Sequence, residues 1–229
     1  MKHPQHLLSL VCFLALAFRG VTANSAESGW NDLFNGKNLD GWVQRGGKAK
    51  YRVEDRQLIG SSSPNTPNSF LCTQREFTNF VLEVEYKIQN GLNSGVQIRS
   101  HAFDQPTTVT NGAKTIKIAA GRVHGYQVEI DTSARAWSGG IFDEGRRGWL
   151  HDLKQNEAAR KAFKAGEWNQ YRIEARGDSL KTWINDVPAA DLKDSLTPAG
   201  FIALQVHGVG KKETEMEVRF RNIRIKELP

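Results

Sequence analysis

The sequence predicts an all-β fold, an antiparallel two-sheet sandwich of jelly-roll type with one short helix. Apolar and polar residues alternate with a period of two along most of the chain after residue 26. Glycine, asparagine and aspartate separate the alternating segments at short intervals, as turns between strands do. A single segment has the composition of a helix. Many short strands with one minor helix are typical of sandwich folds.

The clearest strand is Phe80–Ile88, whose sequence is FVLEVEYKI. Its apolar side chains occupy one face, and Glu83, Glu85 and Lys87 occupy the other, which predicts a half-buried strand. The same pattern predicts strands at residues 51–59, 95–100, 125–131, 170–176, 180–184, 201–207 and 215–225. The pairs Gly177-Asp178 and Asn185-Asp186 predict hairpin turns.

The predicted helix lies in the segment HDLKQNEAARKAFKAG, residues 151–166. Asp152 is the expected N-cap, helix-favouring residues continue through Lys164, and Gly166 is the expected stop. Two long segments, residues 101–123 and 132–150, are predicted to be irregular. Long loops of this kind commonly shape binding sites.

The first residues predict a secretory signal peptide. Lys2 precedes an apolar run at residues 7–18, and small residues follow, so cleavage is expected after Ala23, with Ala26 as the alternative. Arg19 ends the run well short of the ~20 residues that a membrane span needs. We therefore expect residues 1–23 to be removed. A single domain at 28–229 would then be exported to the periplasm or the cell exterior, without a membrane association.

Charge and cysteine content narrow the partners further. The formal charge of +6 falls to +4 when Lys2 and Arg19 leave with the signal, and acids alternate with bases along the chain. A clustered basic stripe is missing from the sequence, so no nucleic-acid partner is predicted. Cys12 would leave with the signal, and Cys72 alone cannot form an internal disulfide. We expect a monomer that is stabilised by its core.

Three predicted strands carry polar residues on one face and apolar residues on the other. If these strands are neighbours, their polar side chains form one patch: Gln97, Arg99, Gln127, Glu129, Asp131, Gln205 and His207. Amides, carboxylates and a guanidinium can each bind hydroxyl groups in defined directions, which favours a polyhydroxylated ligand. The alternative is that these residues are the ordinary solvent face of outer strands.

The flanking loops contribute aromatic and acidic residues. Trp137 and Trp149 could each stack on a sugar ring or pack in the core, and the sequence leaves both alternatives open. Asp104, Asp143 and Glu144 are interpreted as solvated loop acids.

Direct glycoside hydrolysis is disfavoured by one position. Glu129 and Asp131 resemble the start of the E-x-D-x-x-E motif of laminarinase-type retaining glycosidases, in which the last glutamate is the acid/base. Ala134 occupies that position here. Zinc-ligand spacing, a phosphate loop and a serine elbow are also missing from the sequence. No cofactor is predicted, and a structural or catalytic metal ion stays an open alternative.

Several segments together identify a family resemblance. WNDLFNGKNLDGW, NSGVQIRS, GYQVEID, WNQYRIEARGDSLKTWINDVPAADL and the final GFIALQVHG with EVRFRNIRIKEL extend over residues 30–228. They resemble the 3-keto-disaccharide hydrolase domain family. The resemblance implies a concanavalin-like β-sandwich in exported bacterial proteins. It also implies action on glycosides whose sugar carries a ketone at its third carbon.

Such a ketone acidifies the hydrogen on the second carbon, so a base can remove it and the group on the anomeric carbon can leave. Water then adds to the unsaturated sugar. The route needs a base, an enolate stabiliser and a proton donor. We expect Glu129 or Asp131 to be the base and Arg99 and His207 to supply the other two roles. The expected substrate-binding residues are Asn93, Gln97, Gln127, Gln205, Trp137 and Trp149. A noncatalytic carbohydrate-binding domain that uses the same face is the alternative function.

Overall fold

The computed structural model describes residues 29–229. The predicted signal peptide, its two cleavage sites and Cys12 lie outside the described residues. Within residues 29–229, no helix is both long enough and apolar enough to cross a membrane.

The described residues form seventeen strands and one helix. In chain order these are β1 Asn31–Asp32, β2 Trp42–Gly46, β3 Lys50–Glu54, β4 Gln57–Ser61, β5 Ser69–Phe77, β6 Phe80–Ile88, β7 Ser94–His101, β8 Thr107–Asn111, β9 Lys114–Ile118, β10 His124–Ile130, β11 Ile141–Glu144, β12 Gly148–His151, α1 Glu157–Ala162, β13 Asn169–Arg176, β14 Ser179–Ile184, β15 Val187–Lys193, β16 Gly200–Val206 and β17 Glu217–Glu227.

Two antiparallel sheets account for most of these strands. The first sheet has the order β15-β14-β13-β6-β17-β4-β3, with β1 beside β17, and the second has the order β12-β11-β10-β7-β16-β5-β2. Both sheets contribute inward side chains to one core, among them Leu82, Tyr86, Val96, Tyr126 and Leu204. The predicted all-β sandwich with one short helix is confirmed.

Most predicted strands are present with ends shifted by one or two residues. The exception is the segment at 51–59, which folds into the hairpin β3-β4 instead of one strand. Asp55 and Arg56 form its turn, and both have positive φ. The two predicted hairpin turns are confirmed between β13 and β14 and between β14 and β15.

The helix is shorter than expected. It covers Glu157–Ala162, and its N-cap is Asn156, whose side chain accepts a hydrogen bond from the backbone N–H of Ala159 at 3.1 Å. Asp152 was the wrong cap, because its carboxylate instead accepts from the backbone of Lys154 in the preceding turn. The two segments predicted to be irregular contain short hairpins, β8-β9 and β11-β12.

The three central strands of the second sheet are buried on both faces. Nearly every residue of β7 is buried, and every residue of β10 and β16 is buried. Their inward side chains are apolar and reach the core, whereas their outward side chains are largely polar. The interpretation of this outward face as a solvent face is therefore wrong, and a buried polar surface lies at the centre of the second sheet.

Candidate active site

The site is built on a row of residues that crosses the outer face of the second sheet. Glu129 on β10 pairs with Gly95 on β7. Gln205 on β16 follows Leu204, which pairs with Val96, so Gln205 lies opposite Gly95 on the other side. Because Gly95 has no side chain, the centre of the row is open between the carboxyl of Glu129 and the amide of Gln205.

That open position is filled by the side chain of Gln127. A Cβ atom at Gly95 would lie 2.5 Å from both Cγ and Cδ of Gln127. Real Cβ atoms do not approach carbon this closely, so a glycine is required where the Gln127 side chain crosses its neighbouring strand.

A directed chain of hydrogen bonds ends at Glu129. The hydroxyl of Ser100 donates to Gln97 Oε1 at 2.8 Å, Gln97 Nε2 donates to Gln127 Oε1 at 2.7 Å, and Gln127 Nε2 donates to Glu129 Oε2 at 2.7 Å. Asn93 Nδ2 donates to the other carboxyl oxygen, Oε1, at 2.7 Å. Each carboxyl oxygen of Glu129 therefore has one amide partner in a fixed orientation.

The environment of Glu129 raises its pKa. Only 5% of the residue is exposed. Burial penalises the charged form and raises the pKa of Glu129 to about 7, although hydrogen bonds from Asn93 and Gln127 act in the opposite direction. A carboxyl with a pKa in this range can take and return a proton at neutral pH.

Asp131 has a different environment. Its carboxylate accepts hydrogen bonds from the backbone of Ser133 at 3.0 Å, the guanidinium of Arg135 at 2.9 Å and the backbone of Trp137 at 3.2 Å. Burial acts to raise the pKa of Asp131, but these hydrogen bonds outweigh it and hold the pKa below its usual value. Asp131 thus stays ionised and fixes the loop after β10.

A cavity of about 200 Å³ opens above Glu129. We call it the Glu129 cavity. Its lining residues are Asn93, Gln127, Glu129, Arg135, Phe142, Glu144, Trp149 and His207. Expected site residues and residues that the sequence did not single out therefore meet in one place.

Arg135 is the main residue that sequence reasoning missed. Its guanidinium lies 3.8 Å from Glu129 Oε1 and 2.9 Å from Asp131 Oδ2. It also lies over the rings of Trp137 and Trp149, at 4.8 and 5.2 Å from their centroids. Its spacing of four residues from Asp131 was the available signal. In a loop, however, that spacing does not establish a contact.

The two tryptophans have separate positions. Trp149 lines the Glu129 cavity, whereas Trp137 packs against the core and meets Trp149 edge-to-face at 4.8 Å. Trp149 can therefore contact a ligand, and Trp137 supports it from behind.

Glu144 and His207 also line the cavity. Glu144 is 5% exposed and pairs with Arg122 at 2.9 Å. Its interpretation as a solvated loop acid is wrong, and so is that of Asp143, which is fully buried and pairs with Arg146 and Arg147. His207 is exposed, and its Nδ1 lies 2.8 Å from the carbonyl of Gly208.

Arg99 does not join the polar patch, so its expected placement is wrong. The pairing of β7 with β16 shifts register beside Arg99, which has a φ of +45°. Such a bulge reverses the alternation of side chains. The guanidinium of Arg99 instead donates to the carbonyls of Thr78 and Gly177, both at 2.7 Å, and to the side chain of Asn79. It therefore ties the second sheet to a turn of the first.

The structure brings most of the expected residues together. Gln97 supports the Glu129 cavity through Gln127, and Gln205 lies beside it on the same face. Both atoms of the Gln205 amide are buried without a hydrogen-bond partner among residues 29–229. Over the same range, no three His, Cys, Asp or Glu side chains are grouped so that they could hold a metal ion.

Comparisons with known proteins identify the family and the fold. A family model described as the 3-keto-alpha-glucoside-1,2-lyase-like domain matches residues 29–226. No curated protein matches the chain.

Solved structures resemble the fold at low identity. A putative glycosyl hydrolase from Parabacteroides distasonis shares 20% identity with a TM-score of 0.56, over 88% of this chain and 94% of that chain. A carbohydrate-binding module from Bacillus subtilis shares 18% identity with a TM-score of 0.55, over 82% and 96%. A lichenase derived from a mouse hindgut metagenome shares 12% identity with a TM-score of 0.53, over 86% and 97%.

Proposed function

Because this chain belongs to the 3-keto-alpha-glucoside-1,2-lyase-like domain family, we propose that it cleaves 3-keto-glycosides by proton abstraction and elimination. One observation carries the proposal. A buried carboxyl with a pKa of about 7, Glu129, faces a cavity that also presents a guanidinium, an imidazole and a tryptophan. These groups match the base, the charge stabiliser, the proton donor and the ring-stacking surface that the reaction requires.

In the proposed reaction Glu129 removes the hydrogen from the second carbon of the keto sugar. The released electron pair is delocalised onto the ketone oxygen, where the guanidinium of Arg135 stabilises the enolate charge. When the double bond forms between the first and second carbons, the bond from the anomeric carbon to the leaving oxygen breaks. The leaving oxygen takes a proton, so the products are an unsaturated keto sugar and a free alcohol. Water that adds across the double bond would complete a net hydrolysis.

The proton for the leaving oxygen is assigned to His207. Its Nδ1 donates to the carbonyl of Gly208 at 2.8 Å, which leaves Nε2 outside that contact and available to the leaving oxygen. Arg135 takes the place of Arg99 as the enolate stabiliser, because the Arg99 guanidinium is bound to Thr78, Asn79 and Gly177. Asp131 is a positioning residue in this scheme, because it holds Arg135 and the loop backbone.

The test is incubation of the purified protein with a chromogenic 3-keto-glucoside and with its unoxidised parent. Cleavage of the keto compound alone is the expected result. Cleavage of the parent would instead indicate direct glycoside hydrolysis. Saturable binding of both without turnover would indicate a carbohydrate-binding domain and would contradict the proposal.

Export and the monomeric state belong to the same proposal. They are checked by cell fractionation of the full-length chain and by light scattering of the purified protein.

A further inference from the structure

A second cavity adjoins the Glu129 cavity on the same face of the second sheet. It has a volume of about 460 Å³, and we call it the Phe70 cavity. Its lining includes Pro67, Phe70, Ala119, Ala120, Arg122 and Val123. Most of these side chains are apolar, in contrast to the polar lining of the Glu129 cavity.

The two cavities share a wall. Glu144 lines both of them, and its partner Arg122 lines the Phe70 cavity. On the other side, His207 lines the Glu129 cavity, and the next residue, Gly208, donates its N–H to Asn68 of the Phe70 cavity at 2.9 Å. The two spaces are therefore parts of one groove.

The cross-strand row described above connects the two cavities, because Phe70 lines one of them and Glu129 lines the other. Phe70 on β5 pairs with Gln205 on β16, Gln205 lies opposite Gly95, and Gly95 pairs with Glu129. Neighbouring strands are ~4.8 Å apart, so Phe70 and Glu129 are separated by roughly 14 Å along the row. This span suits two linked rings better than one.

We propose that the Phe70 cavity binds the leaving group of the substrate, an inference that rests on the proposed function. With the keto sugar above Glu129, the bond to be cleaved lies near the wall of Glu144 and His207. The leaving group then projects over the exposed apolar residues of the Phe70 cavity, Pro67, Ala119 and Ala120. The apolar lining selects a ring with an apolar face, which either a second sugar or an aromatic aglycone provides. A leaving group without a ring would leave this cavity unfilled.

The test compares three 3-keto-glucosides that differ only in the leaving group: methyl, 4-nitrophenyl and a second glucose. Ala120 is exposed at the rim of the Phe70 cavity, so Ala120→Trp fills that cavity at little risk to the core. Ala158 is an exposed alanine on α1, and Ala158→Trp is the matched control.

We expect the wild type to favour the ring-bearing substrates. Ala120→Trp should lower kcat/KM for at least one of them by at least about tenfold, which corresponds to about 1.4 kcal/mol. Ala120→Trp should leave kcat/KM for the methyl glycoside unchanged. Ala158→Trp should leave kcat/KM unchanged for all three substrates. A comparison of the losses on the glucose and 4-nitrophenyl substrates then shows whether the cavity binds a sugar or an aromatic leaving group. An equal loss on all three substrates, or no loss on any, would overturn the assignment.

If no 3-keto-glycoside is turned over, the proposed function fails, and the groove is judged by binding. Calorimetry with the parent disaccharide and with methyl glucoside then gives the answer. Weaker binding of the disaccharide alone in Ala120→Trp would support the groove, and unchanged binding would overturn it.

Discussion

The outer faces of the two sheets carry glutamates in similar strand patterns, yet these glutamates have opposite environments. On the first sheet, Glu83 pairs with Arg172 at 3.3 Å and Arg224 at 2.7 Å, and Glu85 pairs with Arg221 at 2.7 Å. On the second sheet, Glu129 accepts from two amides, and Arg135 is 3.8 Å away. The alternation along a strand therefore does not determine the chemistry of its acids. The residues on the neighbouring strands and the covering loops determine it.

The largest expected difference between the faces is in catalysis. Glu129→Gln keeps the shape of the side chain but removes the base, so turnover of a 3-keto-glucoside should fall by about 1,000-fold. Steady-state assays of both variants should show no change for Glu83→Gln, the matched variant on the first sheet. Full activity in Glu129→Gln would contradict the assignment of the base.

The next largest effect is expected at Gly95. Gly95→Ala places a Cβ atom 2.5 Å from the Gln127 side chain, which must then move away from Glu129. Misplacement of a catalytic group by about 1 Å can cost about 100-fold in rate, and a loss of this order is expected in kcat. Loss of the Gln127 hydrogen bond should also shift the acidic limb of the pH profile upward. A purely structural effect would lower the amount of folded protein but leave this limb in place.

The environment of Glu129 on the second sheet can also be tested without substrate, through the pH dependence of the free energy of unfolding. Because the pKa of Glu129 is raised from 4.5 to about 7, the folded state holds this proton more tightly than the unfolded state does. Its contribution to stability is therefore complete below pH ~4.5 and is lost as the pH rises to ~7, by up to about 3 kcal/mol.

Chemical denaturation at pH 5 and pH 7 measures the free energy of unfolding and would check that it falls as the pH rises. The wild type should lose more stability across that interval than Glu129→Gln does, because the amide does not titrate. Equal losses in both proteins would show that Glu129 does not carry a raised pKa.

The smallest effect is expected on the first sheet. Glu85→Gln removes one partner of a half-exposed ion pair with Arg221, and such pairs contribute about 0–1 kcal/mol. Thermal unfolding should therefore change little, and the difference from wild type should shrink at high salt. A large loss of stability would indicate that the charged face contributes more than its exposure suggests.

The sequence predicted the architecture because alternation reports directly which side of a strand faces a core. It also predicted that Gln97, Gln127, Glu129 and Gln205 share a face, since the strands that carry them do not reverse alternation between these positions. Arg99 was misplaced because the bulge beside it depends on pairing between strands far apart in sequence.

Other parts of the site were not predictable for related reasons. Arg135, Phe142 and Glu144 reach the Glu129 cavity through a loop and a hairpin whose path is set by tertiary contacts. Glu144 in particular has no local signal that distinguishes a buried acid from a solvated one, because its burial depends on Arg122 and on strands distant in the chain.

The directed hydrogen bonds that end at Glu129 have a consequence for where a transferred hydrogen can reside. Oε1 faces the N–H of Asn93, and Oε2 faces the N–H of Gln127. Neither amide nitrogen can accept, so a proton acquired by Glu129 cannot be passed back into the protein along either contact. It must occupy a lone pair that neither amide uses. The two amides thus block the transfer of an abstracted hydrogen from Glu129 into the sheet. The hydrogen stays on the side of the sugar from which it came.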